Sequence, residues 1–410
     1  MPDHSFSRAG AFRHGGFARY WLARFLGSFS AQIMSVSVGW QVYDLTRDPF
    51  DLGIVGLVQF LPAFLLVLVT GAVADRFNRV RIMTICLAGE ALCALALMLF
   101  GLWGSQTALP IFVTLVVFGT LRAFFGPAQQ SLMPNLVPEE DLASAIAWST
   151  SSWQIATVIG PVAGGLLYGV SANAAYGTAL VLLGFAALLT FTIAPPPQLK
   201  KAKEKPSFET LVAGFRYIWG EKIVLGAISL DLFAMLLGGA TALLPVYARD
   251  ILDVGPWGLG MLRAAPGVGA IVVAAILLRH PIRDHAGVIM FVCVALVGAS
   301  IALFGASTAV WLSILAFALF GGLDMVSVYV RETLIQLWTP DAVRGRVNAV
   351  NQVFVGASNE LGEFRAGISA GLIGAVPAVI FGGVATIAVA GLWWYWFPEL
   401  RKVRHLSGRV

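Results

Sequence analysis

Charged side chains are scarce in this chain. Asp, Glu, Lys and Arg make up 12% of 410 residues, where a soluble domain carries about 25%. Hydrophobic residues reach 58%, with a mean hydropathy of +0.82. So little charge excludes an ordinary water-soluble fold and leaves the membrane class. Cysteine is nearly absent too. Cys86, Cys93 and Cys293 each fall inside an apolar run, which excludes a disulfide framework, a CxxC pair or a Cys/His metal cluster. They read as small buried apolar residues. The five histidines lie mostly at the termini or in loops. There is no HExxH and no G-x-x-x-x-G-K-[ST] phosphate loop. These absences argue against a membrane enzyme and against an ATP-driven pump within this chain. Neither a metal nor a cofactor is expected. The segment Met1–Arg19 is polar and basic, without a cleavable signal pattern, so the first span is expected to act as its own insertion signal.

What the chain has instead is long apolar runs. A span needs about 20 apolar residues to cross the hydrocarbon core. Runs of that kind begin at Tyr20, Leu52, Ile82, Leu109, Leu142 and Tyr176, and again near Ile223, Trp257, Gly287, Ala309, Arg346 and Pro377. The expected fold is all-α and polytopic, with twelve transmembrane helices in two six-helix bundles at 1–194 and 221–410. Residues 195–220, with Pro195 to Pro197 and a lysine cluster, form the expected cytoplasmic linker. The formal charge of +5 does not imply nucleic acid, because the basic residues crowd alternate short loops. Arg8, Arg13 and Arg19 precede span 1, Arg76, Arg79 and Arg81 follow span 2, and Arg279 and Arg283 follow span 8. Arg331 and Arg344 flank the loop after span 10, and Arg401, Lys402, Arg404 and Arg409 follow span 12. The opposite loops hold little more than Arg47 and Arg249. By the positive-inside rule both termini are then cytoplasmic, in a cell (inner or plasma) membrane.

The two sets of six carry an internal repeat. Residues 132–147 align without a gap to 334–349, and at the same offset of 202 residues Gly160 meets Gly362 and Gly165 meets Gly367. Each copy spans a helix end, a Pro-acidic turn that starts a new helix, and the next span. Duplicated halves are a common way to build a central site that can face either side of a membrane.

Between spans 2 and 3 stands Gly71-Ala-Val-Ala-Asp75-Arg76-Phe-Asn-Arg79-Val-Arg81. It resembles the signature loop of the major facilitator superfamily, with Asn78 where that family often has Gly. The resemblance implies a conformational latch made by Gly71, Asp75, Arg76, Arg79 and Arg81. Gly71 would allow close helix approach, and Asp75 would favour the positive end of a neighbouring helix. The second-half counterpart, Ala274 to His285, keeps Arg279, Arg283 and Asp284 but lacks the glycine. In span 5, Gly160-Pro161-Val-Ala-Gly164-Gly165 is similar to the span-5 motif of drug/proton antiporters of this superfamily, although Ser152 and Ala156 replace its upstream glycines. Small residues at four-residue steps also serve close helix packing alone. Ala213-Gly-Phe-Arg-Tyr217 and Arg344-Gly-Arg-Val-Asn348 resemble the exporter branch that includes enterobactin exporters.

That resemblance implies a secondary active transporter. It would export small hydrophobic or amphipathic organic molecules, drug-like or siderophore-like, by proton antiport with alternating access. Such activity would make it an efflux antiporter of the multidrug-resistance kind. Its partners would be a small-molecule substrate, protons and the lipid bilayer, not nucleic acid, and the chain would act as a monomer. Proton-coupled import of a small metabolite and a non-transporting sensor or scaffold of transporter descent are the alternative readings.

Charges inside an apolar span are costly and face an interior or a wet cavity. The intramembrane acids Asp324, Glu360, Glu363, Glu90 and Asp231 are therefore the proton-coupling candidates, with Asp324 first for its mid-span position. A carboxylate in a low-dielectric cavity can load and release a proton near neutral pH. Glu360 and Glu363 share a helical face, and Arg365 falls on a different one. Glu90 and Asp231 fit a fixed ion pair as well as a functional acid. Arg24, Gln32, Gly160, Pro161, Asn359 and Arg365 are the substrate-cavity candidates. Arg24 fits equally an anion-holding role and an interfacial, snorkelling one.

Overall fold

A computed structural model describes residues 10–103, 107–194, 208–282 and 284–404. Helices dominate, and no strand occurs among the described residues. The first half holds α1 (Gly15–Thr46), α2 (Pro49–Arg76), α3 (Arg79–Leu102), α4 (Leu109–Leu132), α5 (Leu142–Val170) and α6 (Ala172–Phe191). The second opens with the short helix α7 (Phe208–Gly220), then α8 (Lys222–Gly238) and the single turn α9 (Leu244–Val246). It continues with α10 (Gly255–Arg279), α11 (Ala286–Ala306), α12 (Val310–Trp338), α13 (Asp341–Ile373) and α14 (Ala375–Trp396), and α15 (Pro398–Arg401) is the last described helix.

Ten stretches among the described residues are long and apolar enough to cross a membrane. The two expected spans missing from that set are α1 and α13, of 32 and 33 residues. Both exceed the length a span needs, but polar side chains dilute them. α1 carries Ser28, Ser30, Gln32, Ser35, Ser37 and Gln41, and α13 carries Asn348, Asn351, Asn359, Glu360, Glu363 and Arg365. A helix that keeps so many polar groups in a bundle needs an interior to turn them towards. The expected linker at 195–220 is in part a helix, since α7 occupies Phe208–Gly220; residues 195–207, with the lysine cluster, lie outside the described residues. Arg8, Arg283 and Arg409 of the charge pattern also lie outside them.

Two compact units divide the chain. One comprises residues 1–41 and 58–206, the other 42–57 and 207–410. In the first, α3 packs against α4 and α6, and α5 against α6. In the second, α11 packs against α12 and α14, and α13 against α14 and α8. The helices numbered third, fourth, fifth and sixth in each set of six spans thus repeat one neighbour pattern. Glycine sets the closest approaches. A side-chain carbon at Gly119 of α4 would come within 2.4 Å of the Gln59 carbonyl of α2. In the second unit the same addition at Gly269 or Gly321 would collide with the main chain of α12 or α10. Backbone-to-backbone contact of this kind is how apolar helices associate where lipid offers no hydrophobic drive. The cores are filled accordingly by Ala, Leu, Ile and Phe, and Cys86, Cys93 and Cys293 are buried and unpaired as thiols.

Candidate functional site

The loop between α2 and α3 is built locally. Asn78 has extended backbone, and its side chain accepts hydrogen bonds from the amides of Val80 and Arg81. It therefore caps the open N-terminus of α3, which accounts for an asparagine at that point of the loop. Arg79 donates from Nε to the Ala74 carbonyl at 3.2 Å and from Nη1 to the Ser131 carbonyl at 3.0 Å, tying the ends of α2 and α4 together. Asp75, Arg76 and Arg81 are exposed, and Gly71 is half-buried.

In the first unit, Gly160 and Gly164 bring α5 onto α1. A side-chain carbon at Gly160 would lie 2.6 Å from Gln32 Cβ, and one at Gly164 would lie 2.9 Å from Ile33 Cα. Pro161 is buried at this contact. The span-5 motif is thus a packing surface, with Gln32 as its partner. Arg24 lies one turn from Tyr20, whose hydroxyl donates to the Gln129 carbonyl. Glu90 of α3 is fully buried. Arg122 Nη1 of α4 lies 3.8 Å from it, beyond hydrogen-bonding distance, and neither carboxylate oxygen has a hydrogen-bond partner. The sequence reading passes over Arg122, a charge inside an apolar run, and nothing in the spacing pairs it with Glu90.

The second unit holds most of the charge. Asp231 of α8 forms an ion pair with Arg331 of α12, the side chains 9% and 4% exposed. The positive-inside pattern expects Arg331 at a loop edge; the structure places it inside the bundle, where a buried acid offsets its charge. Asp231 is accordingly the partner of a fixed pair. Asp324, half-buried, stands two turns before Arg331 on α12 and within electrostatic reach of both members. Glu332 is 3.8 Å from Arg331 Nε and accepts a hydrogen bond from Asn351.

Glu360, Glu363 and Asn359 of α13 line a cavity of about 310 Å³ together with Gly238, Gly239, Ala240 and Thr241. Arg263 of α10 is near enough to both acids to interact electrostatically. Gly56 of α2 completes the approach, since a side-chain carbon there would lie 3.3 Å from Glu360 Oε2 and 3.5 Å from Glu363 Oε2. The cavity exists because span 7 is broken. α8 stops at Gly238, Gly239 and Ala240 are not helical, and a 3₁₀ turn resumes at Thr241. Arg365 does not enter the cavity with Asn359 and the acids. Its Nε donates to the Leu236 carbonyl at 3.3 Å, and its Nη2 donates to the carbonyls of Leu237 and Gly239 at 2.5 and 3.2 Å. The Gly238-Gly239 pair is the sequence signal for this break, and the run-based reading of span 7 passes over it.

Arg47 and Arg249, the two basic residues of the opposite loops, meet in one cluster. Arg249 pairs with Asp44, and Asp250 receives hydrogen bonds from Tyr43 and from Arg47, the latter at 3.3 Å. All five belong to the second unit, which includes residues 42–57.

Residues 6–405 match the family model described as transmembrane secretion effector. The enterobactin exporter EntS of Escherichia coli O1:K1 is 27% identical over 408 residues, spanning 97% of this chain and 95% of that protein. The enterobactin exporter EntS of Citrobacter koseri is 28% identical over 389 residues, spanning 92% and 89%. Among solved structures, an inward-facing, occupied bacterial homolog of the human lysosomal transporter Spinster superposes with a TM-score of 0.74 at 14% identity, covering 96% of this chain and 99% of that one. With a match over nearly its whole length, the chain belongs to the MFS_3 family of transmembrane secretion effectors within the major facilitator superfamily, and it is a multi-pass membrane transporter, not an enzyme.

Proposed function

We propose that this transporter exports a small hydrophobic or amphipathic organic molecule across the inner membrane, with both termini cytoplasmic, driven by inward proton flow. The observation that carries the reading is the cavity of the second unit, where Glu360 and Glu363 stand against a broken helix with Arg263 close by. Two carboxylates facing one cationic side chain leave an unbalanced acid, and a proton is the simplest ligand that balances it. The relatives named as enterobactin exporters support efflux over import. Asp324 remains the first choice of proton carrier, because Asp231 already holds Arg331 and leaves Asp324 outside that pair. Glu360 and Glu363 follow. Substrate would be taken up at one membrane face and released at the other by alternating access, a single chain sufficing.

The test is transport in proteoliposomes with an imposed pH gradient. Neutralising the true carrier, by Asp324→Asn, Glu360→Gln or Glu363→Gln, is expected to abolish uphill transport and to spare downhill exchange. If all three variants concentrate substrate as well as wild type, these acids are structural. The latch gives a second expectation. Asp75→Asn should impair transport strongly while substrate binding to the purified protein persists, since Asp75 is exposed at the α2 end and is not among the residues that line the cavity. Parallel loss of binding would place it in the site instead.

A further inference from the structure

Span 7 is interrupted where an intact helix would be cheapest. Main-chain carbonyls released at membrane depth cost free energy unless something donates to them. In an unbroken α8 the carbonyls of Leu236 and Leu237 would accept from the amides four residues on, those of Ala240 and Thr241. The break removes both bonds. The Gly239 amide still reaches the Met235 carbonyl at 3.0 Å, so the last turn closes one residue before the interruption. The two abandoned carbonyls, and that of Gly239, are the acceptors that Arg365 takes.

The fit is specific. A guanidinium offers several N–H donors in a rigid plane, which an ammonium cannot reproduce, and a cation at a helix C-terminus meets the negative end of the helix dipole. Close packing delivers it there. Gly239 lies against the main chain of Gly362, and a side-chain carbon at Gly382 of α14 would come within 3.3 Å of Arg365 Nη2. The wall that Arg365 holds is a wall of the cavity, since Gly239, Ala240 and Thr241 line it together with Glu360 and Glu363. None of the ion pairs among the described residues includes Arg365, so its charge is spent on carbonyls and not on the acids.

We propose that Arg365 is the positioning residue of this cavity: it stands in for the missing turn of span 7 and fixes the Gly239–Thr241 wall of the cavity that the two acids share. The importance of the wall for transport rests on the export reading above, but the contact itself can be tested without substrate or protons. The reporter is Thr241→Cys in a chain where Cys86, Cys93 and Cys293 are replaced by alanine, purified in lipid nanodiscs and alkylated with N-ethylmaleimide. Arg365→Gln is expected to raise the labelling rate at position 241 about ten-fold, as expected for loss of about one buried hydrogen bond. Arg365→Lys should fall between the two, and a second reporter in the other unit, Gln130→Cys, should be unchanged. Equal rates at position 241 in folded Arg365→Gln and its parent would overturn the proposal. So would failure of both the Gln and the Lys variants to fold, because Arg365 would then be a residue of the scaffold at large. If labelling responds while the acid variants all retain uphill transport, the coupling scheme fails and the positioning role stands.

Discussion

The α5–α1 contact of the first unit and the α13–α8 contact of the second are two copies of one design that have diverged in chemistry. At the repeat offset Gly160 corresponds to Gly362. Gly160 sits on Gln32 of α1, and Gly362 sits on the main chain of Met235 and Leu236 of α8. The packing glycine is common to both. Its surroundings are not. Where the second copy has Asn359, Glu360, Glu363 and Arg365, the first has Thr157, Val158, Pro161 and Ala163. Opposite the uncharged copy, α1 runs unbroken for 32 residues. Opposite the charged copy, α8 stops after 17 residues and a cavity opens. A duplicated scaffold can therefore keep its helix-packing rule in both halves while one half alone takes on polar work. The position that separates them most clearly is 163 against 365, alanine beside an intact helix and arginine inside a broken one.

Three sets of substitutions sharpen or break that contrast. The largest effect is expected at the buried pair of the second unit. Arg331→Met leaves Asp231 buried and uncompensated, a change that costs about 3–5 kcal/mol, and thermal unfolding of the purified protein should fall steeply. Adding Asp231→Leu should recover most of the loss. Glu90→Gln in the first unit should leave stability unchanged or raise it, because Glu90 has no hydrogen-bond donor to lose. A large loss there would mean that the two units use their buried acids alike. Next come the equivalent glycines. Gly362→Ala is expected to cost about 1–3 kcal/mol by overpacking, since the added carbon would meet the Met235 carbonyl at 2.5 Å. Gly160→Ala meets a side-chain carbon at 2.6 Å and one carbonyl at 3.4 Å, so its cost should be smaller. Equal melting shifts would show that the contacts are interchangeable. The smallest effect belongs to the loop after α2. Asn78→Ala should cost about 1 kcal/mol for the lost cap, and Asn78→Gly only a few tenths. If glycine is as damaging as alanine, Asn78 does more than cap α3.

Much of the architecture could be read from the one-dimensional pattern, and the reasons are local. Apolar runs longer than a bilayer is thick specify helices whatever their neighbours are, because only a helix satisfies its own backbone in lipid. The glycine at 160 and its copy at 362 predict close helix contact because nothing else fits there. The Gly71–Arg81 loop could be assigned from residue type and spacing within eleven positions. The limits appear where a residue's role depends on what stands across from it. Arg331 reads as a loop-edge charge until α8 brings Asp231 beside it. Asn78 reads as a departure from the motif until its side chain is seen on two amides. Arg365 shares a helix with Glu360 and Glu363 and reads as one more cavity charge. Its face of the helix is visible in the sequence, but its target is not.

The sequence by itself determined a membrane-spanning all-α chain, its duplicated halves and the family, since hydropathy, repeat spacing and short motifs are properties of consecutive residues. Only the tertiary structure decided which buried acids are already paired, where span 7 breaks, and that Arg365 fills the break. Those outcomes depend on groups a hundred residues or more apart, such as Arg365 and the Leu237 carbonyl or Arg331 and Asp231. No periodicity along a single helix records what its neighbour presents.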